Sequence, residues 1–426
     1  MMSHICAAAI VSILLLAATP AGAEVFVRWT SDRVPARGVL GTAALALPAA
    51  NAAAVREALA QGYRVYLEID GMAVNDVPSP TRRIAGVIVR RRGTTATLTA
   101  LRQRFLPLKV RVLTVDERGQ WPHIRSNRVT KNSSGVLQVA SRSAQPWIDS
   151  NAALAQIAGR PDVRPLLTYA WTPVGLAEAD EGPALENYLV AIAEAGSFRA
   201  DLLLPLHERF QQRILRGEAS ARRDWDQIQR YLAFYAGDPA RRYEASASIG
   251  VITDAPMDWF EVMNLLARHN LPFRIIAPTQ LATLENPSLK LLLMLGEPDA
   301  AQRSELAVFE RKGGLVKIVS APQDPDRLAL DVRRQLGPDR RVIDVFNGIT
   351  VIAAPFAGKD GSIIVTMVNY SHQPLPVQLR VRGVFSEVHY ESPETKTTVV
   401  PHEHRDGSTE FVLPSVRVGA RVFLTR

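Results

Sequence analysis

The chain has 426 residues, 47% hydrophobic and 22% charged, the proportions of an ordinary globular protein with ample core material for roughly two to four domains. Its single cysteine, Cys6, lies in an amino-terminal apolar stretch, which excludes disulfides, zinc-thiolate sites and cysteine nucleophiles from everything that follows. The formal charge is +8, with 43 arginines and only seven lysines, but Arg90-Arg91-Arg92, Arg222-Arg223 and Arg340-Arg341 are short, scattered clusters without a nucleic-acid motif, so no nucleic-acid partner is expected.

The first 23 residues stand apart. The apolar run ICAAAIVSILLLAATP leads into Ala21-Gly22-Ala23, a small-x-small cleavage signature before Glu24, and reads as a secretory signal peptide. A periplasmic or secreted protein follows, with no stable membrane insertion after cleavage. The leader begins MMSH, without Lys or Arg, which leaves an uncleaved anchor as the alternative. Acidic glycans and anionic lipid surfaces are both compatible with a basic exported protein.

From residue 24 to about 245 strand and helix patterns alternate, which predicts a parallel β/α domain. The predicted strands are VFVRW, YRVYLEID, IAGVIVR, KVRVLTVD, VLQVAS, PLLTYAW and ADLLLPL. Helical segments are expected at 49–61, 95–105, in NAALAQIAG, in ALENYLVAIAEAG, and up to Tyr235. Seven units suit a small or incomplete (β/α)8 barrel, since a full barrel usually takes about 250 residues. An open doubly wound sheet is the competing arrangement.

Four tryptophans follow predicted strands or stand near their ends: Trp29, Trp121, Trp147 and Trp171. Carboxylates share these positions, among them Glu68, Asp70, Asp116, Glu117, Asp149, Glu208 and the acidic loop Glu178, Asp180 and Glu181, with Gly175 and Gly182 able to let that loop move. If the strands are parallel neighbours, all would gather at the carboxyl-end face where such folds bind ligands. Aromatic rings and carboxylates at one rim suggest a sugar-binding cleft. The competing reading is that the indoles are core residues packed against helices.

Residues 246–340 predict a second α/β unit, with strands IGVITD, FRIIAP, LKLLLML and LVKIVSAP. Trp259, Phe260, Met263, Leu266 and Ala267 mark the buried face of a helix over 257–268, so Trp259 is expected in the core. The unit has no phosphate-binding glycine loop. Residues 341–426 alternate with period two, at Ile363-Val365-Met367, Val377-Leu379-Val381 and Phe411-Leu413, and predict an antiparallel β-sandwich.

The succession of barrel-like domain, flavodoxin-like or amidotransferase-like α/β domain lacking a nucleophile, and small β domain containing TMVNYSHQPLPVQLRV resembles family-42 beta-galactosidases and related barrel glycosidases. The resemblance covers nearly all of the chain after residue 23. It implies glycoside hydrolysis, a middle domain through which the protein forms homo-oligomers, and an accessory last domain. Those enzymes place an Asn-Glu pair after their fourth strand, and no Asn-Glu pair occurs anywhere in this sequence. Asp116 and Glu117 are the nearest substitutes, and Glu208 in LLLPLHERF occupies the place of the nucleophile.

Hydrolysis needs two facing carboxyl groups, one of them protonated, at a separation that sequence does not reveal. Glu208, Glu117 and Asp116 are the catalytic candidates; Trp29, Asp70, Trp121, Trp147, Asp149, Tyr169 and Trp171 are the substrate-binding candidates. Arg118 and Arg125 are alternative ion-pair partners for Asp116 and Glu117, and Asp149 is an alternative cap for the helix after it. His402 and His404 would share one strand face, but without a third ligand no essential metal is expected, and no cofactor. The expected partner is therefore a carbohydrate, cleaved or only bound, with an envelope assembly factor as the more distant reading.

Overall fold

The computed structural model describes residues 23–426 except 42, 71–82, 91–94, 106, 108–109, 126–127, 132–136, 141–146, 160–163, 174–175, 238, 240–242, 285, 321–323 and 372. Of the predicted leader, residues 1–23, all but Ala23 lie outside the described residues. Among the described residues, no helix is long and apolar enough to cross a membrane.

The first part is a closed, all-parallel barrel of seven strands: Val25–Arg28, Ala44–Pro48, Arg64–Asp70, Gly86–Arg90, Arg111–Gln120, Leu166–Ala170 and Asp201–Pro205. Each pairs with its sequence neighbours, and the seventh closes on the first in the register Val25 to Leu202 and Phe26 to Leu203. Seven strands were expected, but the set differs by two. Ala44–Pro48 is a barrel strand that its alanine-rich sequence concealed, because alanine favours helix when local preference alone decides. LQVA instead forms a hairpin, Arg128–Lys131 with Leu137–Ala140, outside the barrel.

The small side chains of the second strand have a tertiary purpose. Strand residues alternate between faces, and the inner face carries Phe26, Ala44, Ala46, Tyr66, Ile88, Val115, Leu166 and Leu203. Ala44 and Ala46 lie between the strands bearing Phe26 and Tyr66, whose rings meet edge to face at 4.6 Å. Gly86 completes the fit, since a Cβ there would overlap the Tyr66 ring and press on the Arg111 carbonyl. Gly86→Ala is expected to cost about 1–3 kcal/mol by overpacking, read as an earlier urea midpoint at unchanged slope. A midpoint equal to that of the parent would show that the ring yields freely.

The outer face of the barrel, with Val27, Leu45, Val65, Val87, Leu167 and Leu204, packs against surrounding helices that include Leu185–Ser197 and Ala219–Ala236. The second part is a four-stranded parallel sheet of Ile249–Ile252, Phe273–Ile276, Leu291–Leu295 and Leu315–Val319, in the order 2-1-3-4 of a flavodoxin-like fold. All four strands match the sequence reading, and Trp259 packs against this core as expected. The third part is a sandwich of a six-stranded and a four-stranded antiparallel sheet enclosing Val365, Met367, Val377, Leu379, Phe411 and Leu413. Its first strand, Glu244–Ala245, comes from before the middle sheet and pairs with Val351–Ala357.

Hydrogen bonds join the parts. Thr366 of the sandwich donates to the Ser197 carbonyl of a barrel helix at 2.8 Å. Asn270 of the middle part donates to the Val351 carbonyl and accepts from the Ala353 amide. Arg421 caps the end of the helix Ala219–Ala236 by donating to the Phe234 and Gly237 carbonyls, its guanidinium 4.2 Å over the Phe234 ring.

Candidate functional site

The same alternation that fills the barrel places charge at its mouth. Two residues beyond Phe26, Tyr66, Ile88 and Val115, each of which faces inward, stand Arg28, Glu68, Arg90 and Glu117. They form one connected chain. Arg28 Nε donates to Glu68 Oε2 at 2.7 Å, Arg90 Nη1 to Glu68 Oε1 at 3.1 Å, and Arg90 Nε to Glu117 Oε1 at 2.7 Å. The Glu68 side chain is only 6% exposed, whereas Arg28, Arg90 and Glu117 are about one-third open to solvent.

The opposite end is built alike. Glu24 pairs with Arg64 and, at 2.6 Å, with Arg111, and accepts from the Tyr66 hydroxyl. Asp201 Oδ1 accepts from the Glu24 amide at 2.8 Å, and burial pushes its carboxyl up to about 6. Ion-paired layers therefore close the apolar barrel interior at both ends. Barrels of this kind place chemistry at the carboxyl-end face, which makes the upper layer the one of functional interest.

The aromatic candidates lie elsewhere. Val25, Val27 and Trp29 alternate onto the outer face, where Trp29 is fully buried and its indole donates to the Arg33 carbonyl at 2.8 Å. Tyr169 and Trp121 are 2% exposed, and Trp121 meets Tyr169, Trp171 and Tyr188 edge to face. Trp171 is half-buried. Trp147 packs into the core of the middle part, with the Arg268 guanidinium 4.6 Å above its ring and its indole bonded to Asp149 Oδ1 at 3.0 Å. The rim of indoles around an open cleft is thus corrected: Trp29, Trp121, Trp147 and Tyr169 are packed between sheet and helices, where no sugar reaches them.

The acidic candidates are also dispersed. Asp116 faces away from the inner row and is held by Arg118, whereas Glu117 is held by Arg90. Asp149 supports Trp147 and does not cap the next helix, whose N-cap is Asn151. Glu208 is exposed at the first position of the helix Glu208–Leu215. Asp70 ends the third strand, and its side chain, like those of Arg125 and Glu178, lies outside the described residues. His402 and His404 stand with ring centres 5.4 Å apart, each against a backbone carbonyl.

Arg28 and Arg90 were not singled out from sequence as site residues. Their signal was the period-two position beyond an inward apolar residue, which becomes readable only once the inner face is known. A buried cluster was likewise missed: Glu194 accepts from the Asn151 amide at 2.8 Å, the Asn151 side chain at 2.7 Å and the Tyr370 hydroxyl at 2.7 Å. Burial pushes the Glu194 carboxyl above its ordinary range. The cluster fastens a barrel helix to the sandwich.

No known protein family matches the sequence, and no curated protein matches it either. Among solved structures, the alpha-L-fucosidase isoenzyme 2 of Paenibacillus thiaminolyticus superposes with a TM-score of 0.57 at 9% identity, over 96% of this chain and 100% of that one. This is the architecture of barrel glycoside hydrolases. A rhamnosidase from Novosphingobium sp. PP1Y (TM-score 0.45, 11% identity, 78% of this chain and 38% of that one) and a beta-galactosidase from Rahnella sp. R3 (TM-score 0.39, 10% identity, 85% and 66%) also match, more loosely. At such identities the likeness is one of fold, and function has to be drawn from the site.

Proposed function

We propose that this glycoside hydrolase-like chain binds an oligosaccharide or polysaccharide at the carboxyl-end rim of its barrel without hydrolysing it. The carrying observation is the chain Arg28, Glu68, Arg90, Glu117. A glycosidase needs one carboxyl group holding a proton and a second free to attack or to activate water. Here both described inward carboxylates at the mouth are bonded to Arg90. The apolar leader ending Ala21-Gly22-Ala23 supports an exported protein that meets its glycan in the periplasm or outside the cell.

The test pairs hydrolysis with retention. Chromogenic glycosides and a panel of oligosaccharides should show no turnover above background, while an immobilised glycan retains the protein. Turnover that disappears in Glu117→Gln or Glu208→Gln would instead make the chain an active hydrolase.

A further inference from the structure

Beside the last barrel strand, the segment Glu181–Leu185 and the helices Glu208–Leu215 and Ala219–Ala236 enclose a cleft of 330 Å³. Its floor is apolar. Tyr188 and Phe210 are stacked there at 5.6 Å, and the Tyr188 hydroxyl accepts from the His207 amide at 3.1 Å, which ties the floor to the end of the barrel strand. Gly182, at φ +76°, lets the segment pass directly against the His207 ring, where a Cβ would overlap it, and so brings Glu181 to the edge.

The walls carry both signs of charge. Arg213 is engaged, donating to Glu218 at 3.0 Å and to Ser220 at 2.9 Å, with Asp224 3.8 Å away. The exposed Arg209 guanidinium and Glu181 carboxylate have no hydrogen bond or ion pair among the described residues. A donor fork and acceptor oxygens without partners among the described residues, above a floor whose Tyr188 and Phe210 rings are themselves only 2% and 6% exposed, suit a ligand that offers hydroxyls in both roles. An anionic ligand would meet Glu181 and Asp224; an apolar one would strip water from charges it could not bond. The volume is at the lower end of the about 300–1,000 Å³ usual for small-molecule sites, which fits a short stretch of glycan.

We propose that this lateral cleft, and not the barrel axis, is the contact site for a neutral saccharide, with Arg209 donating to its hydroxyls and Asp224 and Glu181 accepting from them. The inference rests on the carbohydrate-binding reading above and deepens it by naming the site and the sugar class.

The experiment is an array of neutral gluco-, galacto-, manno- and xylo-oligosaccharides beside uronate-bearing ones, probed with the full chain, Arg209→Ala and Asp224→Asn. Thermal melts check that both variants are folded. The expected result is retention of the parent on a neutral glycan, weakened about tenfold or more in each variant, as loss of a charge-assisted hydrogen bond implies. Parent-like retention by both variants overturns the cleft while leaving the carbohydrate-binding reading intact. Retention only on uronate-bearing glycans overturns the neutral class. A parent that binds nothing on the array overturns the underlying reading and the cleft with it.

Discussion

Replacing Glu194 by alanine is expected to destabilise the protein by about 1–3 kcal/mol, the cost of a buried donor that loses its acceptor. The Asn151 amide loses its carboxylate acceptor outright. The Asn151 side chain retains the Gln120 carbonyl and the Tyr370 hydroxyl retains Ser150, so the loss is smaller than a count of three bonds suggests. Urea unfolding of Glu194→Ala measures it. A variant as stable as the parent would mean that water or a rearranged Asn151 fills the place.

The same carboxyl sets a pH dependence whose sign follows from its environment. Burial raises Glu194 in the native state above its ordinary 4.5, so the native protein holds a proton that the unfolded chain gives up. The associated stability is fully present below that ordinary value and is lost as pH rises through the higher native one. Asp201 acts in the same direction between its ordinary 3.8 and about 6. Melting temperature should therefore fall as pH rises across this range, less steeply in Glu194→Gln and in Asp201→Asn. A parent melting temperature that climbs over the same window would contradict the burial of both groups.

Trp29→Ala is expected to cost about 3–5 kcal/mol, the usual effect of emptying a buried aromatic site. The ring is fully buried, and its N–H is satisfied by the Arg33 carbonyl. At a temperature where the variant remains folded, glycan retention should match that of the parent. Lost retention at unchanged stability is the opposite pattern, that of an indole on the binding surface, and would place the ring in contact with ligand. This comparison separates the two meanings of a tryptophan at a strand end.

Much of the fold class was legible in the sequence. The four short apolar runs of the middle part, IGVITD, FRIIAP, LKLLLML and LVKIVSAP, are bounded by turns and form the parallel sheet they suggested. The alternating runs around Val365, Leu379 and Leu413 face the sandwich core as their spacing indicated. Legibility failed where local preference and tertiary need diverged. ALALP has no β-branched or aromatic residue to mark it as a strand, yet its alanines are the small inner residues that allow Phe26 and Tyr66 to meet.

The sequence by itself determined which residues alternate: Phe26 opposes Trp29, and Tyr66 shares its side with Glu68. Only the closed barrel decided which side faces inward. A strand's period of two is the same whichever face is buried, and the choice is made by the register in which seven separated segments pair. That choice sent Trp29 outward beneath the helices, drew the arginines and glutamates together at the mouth, and left Arg209 and Glu181 facing a cleft whose other wall, at Asp224, comes from a separate helix.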